Sequence, residues 1–120
     1  MKKILVVDDD PDITLLVKTK LEKTGRYMVV FTNAGADAFR LAESEKPDLI
    51  VSDIDMPDKF GGDVARELSD HEATRDISVL FFSSLVSPGD IRDGMVGGRQ
   101  MVSKSSSPEE LIQRIDSMLS

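Results

Sequence analysis

Five side chains that could do chemistry stand where apolar runs end. Asp8 and Asp9 close Ile4–Val7, Asp53 follows Leu49-Ile50-Val51-Ser52, Ser83 ends Ile77–Phe82, and Lys104 follows Gln100-Met101-Val102-Ser103. Carboxylates gathered within a few ångströms repel one another unless a cation shares the site. Mg²⁺ suits such a group, because it is a hard ion that accepts two or three carboxylates completed by carbonyl oxygen and water. With the ion in place, one carboxylate oxygen can attack a phosphorus atom. Phosphoryl transfer then asks mainly for positioning and for charge neutralisation on the equatorial oxygens. Mg²⁺ would cover one such oxygen, Lys104 a second and the Ser83 hydroxyl a third. Each residue alone also fits a plainer role: a solvated turn, a helix cap, a surface lysine. Their placement on one edge of one sheet is what argues for shared chemistry.

The elements that must position these residues follow from pattern. Continuous apolar runs imply strands buried on both faces, and Pro57 forces the chain out of the sheet just past Asp53. Asp10-Pro11 reads as an N-cap with proline at the first helical position, followed by Ile13, Leu16, Val17 and Leu21 on one face and Gly25 as the stop. Tyr27–Phe31 is the second strand. Ala38, Leu41 and Ala42 mark a second helix over about 36–44, and Val64, Ala65 and Leu68 a third. Ser87-Pro88 predicts a fourth helix with Ile91 and Met95 inward. That helix is weak, since Gly89, Gly94, Gly97 and Gly98 each cost up to ~1 kcal/mol in a helix interior. Ser107-Pro108-Glu109-Glu110 is a capping box, and Leu111, Ile112, Ile115, Met118 and Leu119 form the stripe of the fifth helix. Strands alternating with helices predict a parallel sheet covered on both faces, with every strand's carboxyl end on one edge.

Composition bounds the rest. The 120 residues suffice for one domain, 1–120, and the 40% hydrophobic and 31% charged content is ordinary for a globular chain. A net charge of -7 disfavours binding to nucleic acid or anionic membrane. The chain has no cysteine, which excludes disulfide and thiol chemistry, and its single histidine, His71, reads as a surface residue. No signal peptide or membrane span is legible, so the expected location is the cytoplasm.

The chain resembles a two-component response regulator receiver domain, of the chemotaxis-receiver kind, over nearly all its length. Val6-Val7-Asp8-Asp9-Asp10 matches the family's acidic pair, Asp53-Ile54-Asp55-Met56-Pro57-Asp58 through Gly61 its phosphorylation-site signature, Ser83 its hydroxyl position and Lys104 its lysine position. The resemblance implies a flavodoxin-like α/β/α sandwich with a five-stranded parallel sheet in the order 2-1-3-4-5 and five helices. It implies that Asp53 accepts a phosphoryl group from a sensor histidine kinase or phosphotransfer protein, with no turnover of a separate substrate. Asp9 and Asp53 would ligate Mg²⁺ directly, Asp8 largely through water, and Asp55 through its main-chain carbonyl. Ser83 would move toward the phosphate and repack the face made by helix four, strand five and helix five, which a downstream protein reads. By the same resemblance, Asp55 and Leu85 occupy positions that in this family tune the lifetime of the phosphoryl group.

Two positions depart from the family pattern. Met101 replaces the usual switching aromatic ring. Ser105 replaces the usual proline after Lys104, so a trans bond is expected there, with Lys104 less well aimed; a cis bond outside proline costs ~2.5–4 kcal/mol. Two other readings compete. One is a haloacid-dehalogenase-type phosphatase with Asp53 as nucleophile and Asp55 as acid. The other is a degenerate receiver serving only as a binding module.

Overall fold

The computed structural model describes residues 1–91, 95–96 and 99–120. Strand β1 (Lys2–Val7) is flanked by β2 (Tyr27–Thr32) and β3 (Leu49–Ser52), both parallel to it. Strand β4 (Ser78–Ser83) pairs with β3, and β6 (Arg99–Ser103) pairs with β4, again in parallel. The parallel strands therefore run β2-β1-β3-β4-β6, which is the expected 2-1-3-4-5 order. A two-residue β5 (Met95–Val96) adds an antiparallel edge beside β6, with Met95 opposite Gln100.

Alternation along the central strands sorts side chains between two helical layers. Ile4 and Val6 of β1 face α1 (Pro11–Lys23) and α4 (Pro108–Leu119), where they pack with Val17, Leu21, Leu111 and Ile115. Leu5 and Val7 face the other way, onto Ala38 and Ala42 of α2 (Ala38–Glu45) and Val64 and Leu68 of α3 (Gly61–Asp70). At both predicted starts the N-cap side chain makes its bond. The Asp10 carboxylate accepts from the Asp12 amide at 2.9 Å, and Ser107 Oγ accepts from the Glu110 amide at 3.3 Å. Gly25 ends α1 with φ of 76°, a conformation that glycine adopts without steric cost.

Three expectations need correction. Four α-helices form among the described residues, not five. In place of the fourth there is one 3-10 turn at Pro88–Asp90, closed by Asp90 Oδ2, which accepts from both the amide and the hydroxyl of Ser87 at 2.9 and 3.0 Å. Met95, expected inward on that helix, lies in β5; Gly94, Gly97 and Gly98 fall outside the described residues. On α1 the buried stripe is Thr14, Val17 and Leu21, and Leu16 is 40% exposed. Threonine can take the buried place because its hydroxyl donates to the Pro11 carbonyl at 3.1 Å and accepts from Asn33 Nδ2 at 3.1 Å. Finally, the second helix begins later than expected, after a 3-10 turn at Gly35–Asp37.

Candidate metal and phosphoryl-acceptor site

Register sets the site. Val7 of β1 lies beside Ser52 of β3, so the next residues, Asp8 and Asp53, leave the sheet side by side. The Asp53 amide donates to the Val7 carbonyl at 2.9 Å, extending that pairing past the strand end. Asp8 and Asp53 are buried and Asp9 is exposed, yet carboxylate oxygens of all three lie within 4.8 Å of one another. Their orientation is partly fixed by backbone donors. Asp8 Oδ1 accepts from the Asp10 amide at 3.0 Å, and Asp53 Oδ1 accepts from the Ile54 amide at 2.8 Å.

Lys104 reaches into this cluster from the end of β6. Its ammonium lies 2.6 Å from Asp8 Oδ2 and 3.4 Å from Asp53 Oδ2. The Lys104–Ser105 bond is trans, as expected, but Lys104 is not poorly aimed. Its amide donates to the Ser83 carbonyl at 2.8 Å, which carries the β4–β6 pairing one residue further and brings the side chain over the acids. Burial raises the Asp53 carboxyl above its ordinary value, and the charge of Asp8 adds to this against the pull of Lys104. Burial also opposes the charge on Lys104, but the hydrogen bond and charge of Asp8, then Asp53, outweigh it and hold the ammonium above the usual lysine value. Three carboxyl groups thus gather around a single lysine ammonium. Hard oxygen donors at this spacing fit an ion of the size and charge of Mg²⁺.

The remaining predicted residues lie on the neighbouring strands and loops. Ser83 is fully buried at the end of β4, and its Oγ accepts from the Leu85 amide at 3.0 Å. Asp55 is exposed in the β3–α3 loop, and Leu85 is exposed beyond β4. Met101 is not at the cluster: from β6 it is buried with Ala65 and Phe81, against Val86 and Ile91. His71 is exposed, with its ring 4.3 Å from that of Phe39. The loop after Asp53 is closed by Gly61, whose amide donates to the Ile54 carbonyl at 2.7 Å. A Cβ at Gly61 would lie 2.3 Å from the Asp53 carbonyl oxygen, so glycine is required for this close approach.

Sequence reasoning missed Asn33 and Ser103. Asn33 Nδ2 donates to the Asp8 carbonyl at 2.8 Å as well as to Thr14, which ties the loop after β1 to the loop after β2. Ser103 Oγ donates to the Val86 carbonyl at 2.7 Å and meets Ser105 Oγ at 2.8 Å. Asn33-Ala34-Gly35 signals a turn, but nothing in the sequence says what that turn touches.

A profile described as the response regulator receiver domain matches residues 4–116. The chain belongs to that family. It is 33% identical to the polar-differentiation response regulator DivK of Brucella ovis, over 98% of this chain and 96% of that protein. It is 34% identical to the alkaline phosphatase synthesis transcriptional regulatory protein PhoP of Bacillus subtilis, over 98% of this chain but 48% of that one. The chain thus spans about half the length of the first curated relatives it matches, PhoP and the probable transcriptional regulators ycf27 of Cyanophora paradoxa and Guillardia theta. Among solved structures, the chemotaxis response regulator CheY4 of Vibrio cholerae superposes with a TM-score of 0.84 at 27% identity, covering 99% of each chain. The receiver domain of the Francisella response regulator 1452 gives 0.83 at 29% identity, covering 99% of this chain and 97% of that one. This chain is therefore a response regulator receiver domain of two-component signalling. The phosphatase-type alternative is overturned by this match, and Asp53 lies at the end of the third strand, not the first as that reading needs. Among the described residues, no helix is long and apolar enough to cross a membrane.

Proposed function

We propose that Asp53 is the phosphoryl acceptor of this receiver and that residues 1–120 act as one switching unit in the cytoplasm. The supporting observation is the placement of the Asp53 carboxylate: buried at the end of the central strand, with Oδ1 on the Ile54 amide and Oδ2 facing the Lys104 ammonium. A carboxylate oxygen of Asp53 forms the new bond to phosphorus as the bond to the donor's imidazole nitrogen breaks. The donor is a sensor histidine kinase or a phosphotransfer protein. Lys104 then shifts part of its charge from Asp53 to an oxygen of the incoming phosphoryl group. Ser83 Oγ already accepts from Leu85, which leaves its proton to donate to a second phosphoryl oxygen. Asp8, Asp9, Asp53 and the Asp55 carbonyl would hold Mg²⁺, which supplies neutralising charge at a third oxygen. Asp55, two residues past Asp53, and Leu85, two past Ser83, bear on how long the phosphoryl group persists.

The output follows from movement of Ser83. It sits one strand from Met101, which packs on Phe81 two residues before it. Ile91, Met101, Gln113 and Arg114 line a groove between the 3-10 turn, β6 and α4, and a downstream protein reads that face.

Intact mass after incubation with acetyl phosphate and Mg²⁺ tests this reading. The wild-type chain gains one phosphoryl group and Asp53→Asn gains none. An unmodified wild type would leave only a binding module, and a modified Asp53→Asn would move the acceptor elsewhere.

A further inference from the structure

We propose that Asp58 is a positioning residue for the divalent-ion site, clamping the β3–α3 loop to the turn that follows β2; this rests on the ion-site reading above. The 3-10 turn at Gly35–Asp37 begins with amides that have no partner inside the turn. The residue in the capping position is Ala34, which makes no side-chain cap. Asp58 supplies that cap from another part of the chain. Its Oδ1 accepts from the Gly35 amide at 3.1 Å, and its Oδ2 accepts from the Ala36 amide at 2.9 Å. Gly35 lets the two segments meet, because a Cβ there would lie 3.0 Å from the Lys59 carbonyl oxygen and 3.1 Å from Met56 Cε.

These bonds close a ring of contacts around the acids. Asp8 is tied to the segment after β2 through its amide, which donates to the Thr32 carbonyl at 3.2 Å, and through its carbonyl, which accepts from Asn33. That segment is tied by Asp58 to the β3–α3 loop, and the loop runs back to Asp53, whose amide bonds to Val7 beside Asp8. Met56 is buried in the core, and Lys59 pairs with Glu67 of α3, so the loop is held on its other side as well. Asp58 itself is exposed and touches none of the clustered carboxylates. Shortening it leaves no cavity, but opens the ring at one link. The spacing between the β1 acids and the loop carbonyl then relaxes, and the loss falls on ion affinity before it falls on folding.

Calorimetric titration with Mg²⁺ tests this on wild type, Asp58→Ala, Asp58→Asn and Asp8→Asn, beside amide exchange without the ion. Asp58→Ala is expected to weaken Mg²⁺ binding roughly tenfold, the scale for removing a partner outside the ligand shell. Asp58→Asn falls between, since its amide oxygen can still accept one of the two bonds. Faster exchange at Gly35 and Ala36 accompanies the loss in both. A wild-type affinity in Asp58→Ala, or unchanged exchange at those amides, overturns the clamp while leaving the ion site intact. If Asp58→Ala does not fold, a wild-type affinity in Asp58→Asn overturns it equally. If wild type takes up no Mg²⁺, or Asp8→Asn binds it as well as wild type, the ion-site reading fails and takes the clamp with it.

Discussion

The two sides of the sheet's carboxyl edge are held by different kinds of contact. Around Asp8 and Asp53, the loops after β1, β2 and β3 are laced by directional bonds from Asn33, Asp58 and main-chain amides. Around Ser83 and Met101, the Lys104 amide and the hydroxyls of Ser83 and Ser103 are joined by a small apolar cluster of Ala65, Phe81 and Met101. Hydrogen bonds fix distances to a few tenths of an ångström, whereas an apolar contact tolerates repacking. On the proposed function, an ion and a phosphoryl group need the former, and a surface that changes shape on signal needs the latter. One fold supplies both by placing them on neighbouring strands.

Four substitutions probe that difference. Lys104→Ala removes the ammonium that meets both Asp8 and Asp53, and the rate of acetyl phosphate labelling at saturating Mg²⁺ should fall about a hundredfold, the scale for losing one charge-stabilising donor. A loss below threefold would remove Lys104 from the chemistry. Gly61→Ala forces a methyl against main chain on the fixed side; thermal unfolding should show about 2 kcal/mol of destabilisation, with slower labelling. On the adaptable side, Met101→Leu should cost less than about 1.5 kcal/mol and leave labelling unchanged. Slower labelling there would show that the two sides are not separable.

The smallest effect is in pH. The Ala36 amide, with that of Gly35, holds the Asp58 carboxyl below its ordinary value. Its stabilising contribution is therefore present above the usual carboxylate range and lost as pH falls through the lowered folded value. Wild type should melt higher than Asp58→Asn near neutrality, with the gap closing toward strongly acid pH. A gap that does not vary with pH would mean that the carboxylate charge plays no part.

Much of this was legible in the chain. Strands apolar on both faces announce a covered parallel sheet, and Asp10-Pro11 and Ser107-Pro108 mark helix starts that need only local chemistry. The acids, Ser83 and Lys104 could be placed on one edge because strand ends are readable without tertiary detail. What escaped depends on contacts far apart in sequence. Thr14 displaces Leu16 from the buried stripe because Asn33 satisfies its hydroxyl, and Asp58 reads as a loop residue until Gly35 and Ala36 are seen against it. Ser87-Pro88 predicts a helix, and the described residues there hold a single 3-10 turn at Pro88–Asp90, closed by the Asp90 carboxylate. Lys104 is aimed by its amide's bond to Ser83, so the missing proline at position 105 was a poor guide.

The most direct test is anomalous diffraction from crystals soaked with Mn²⁺, an oxygen-seeking surrogate for Mg²⁺. A single strong peak between Asp9, Asp53 and the Asp55 carbonyl, with Asp8 one water away, is the predicted result. No peak among the strand-end acids, or one at a site that excludes Asp53, would contradict it.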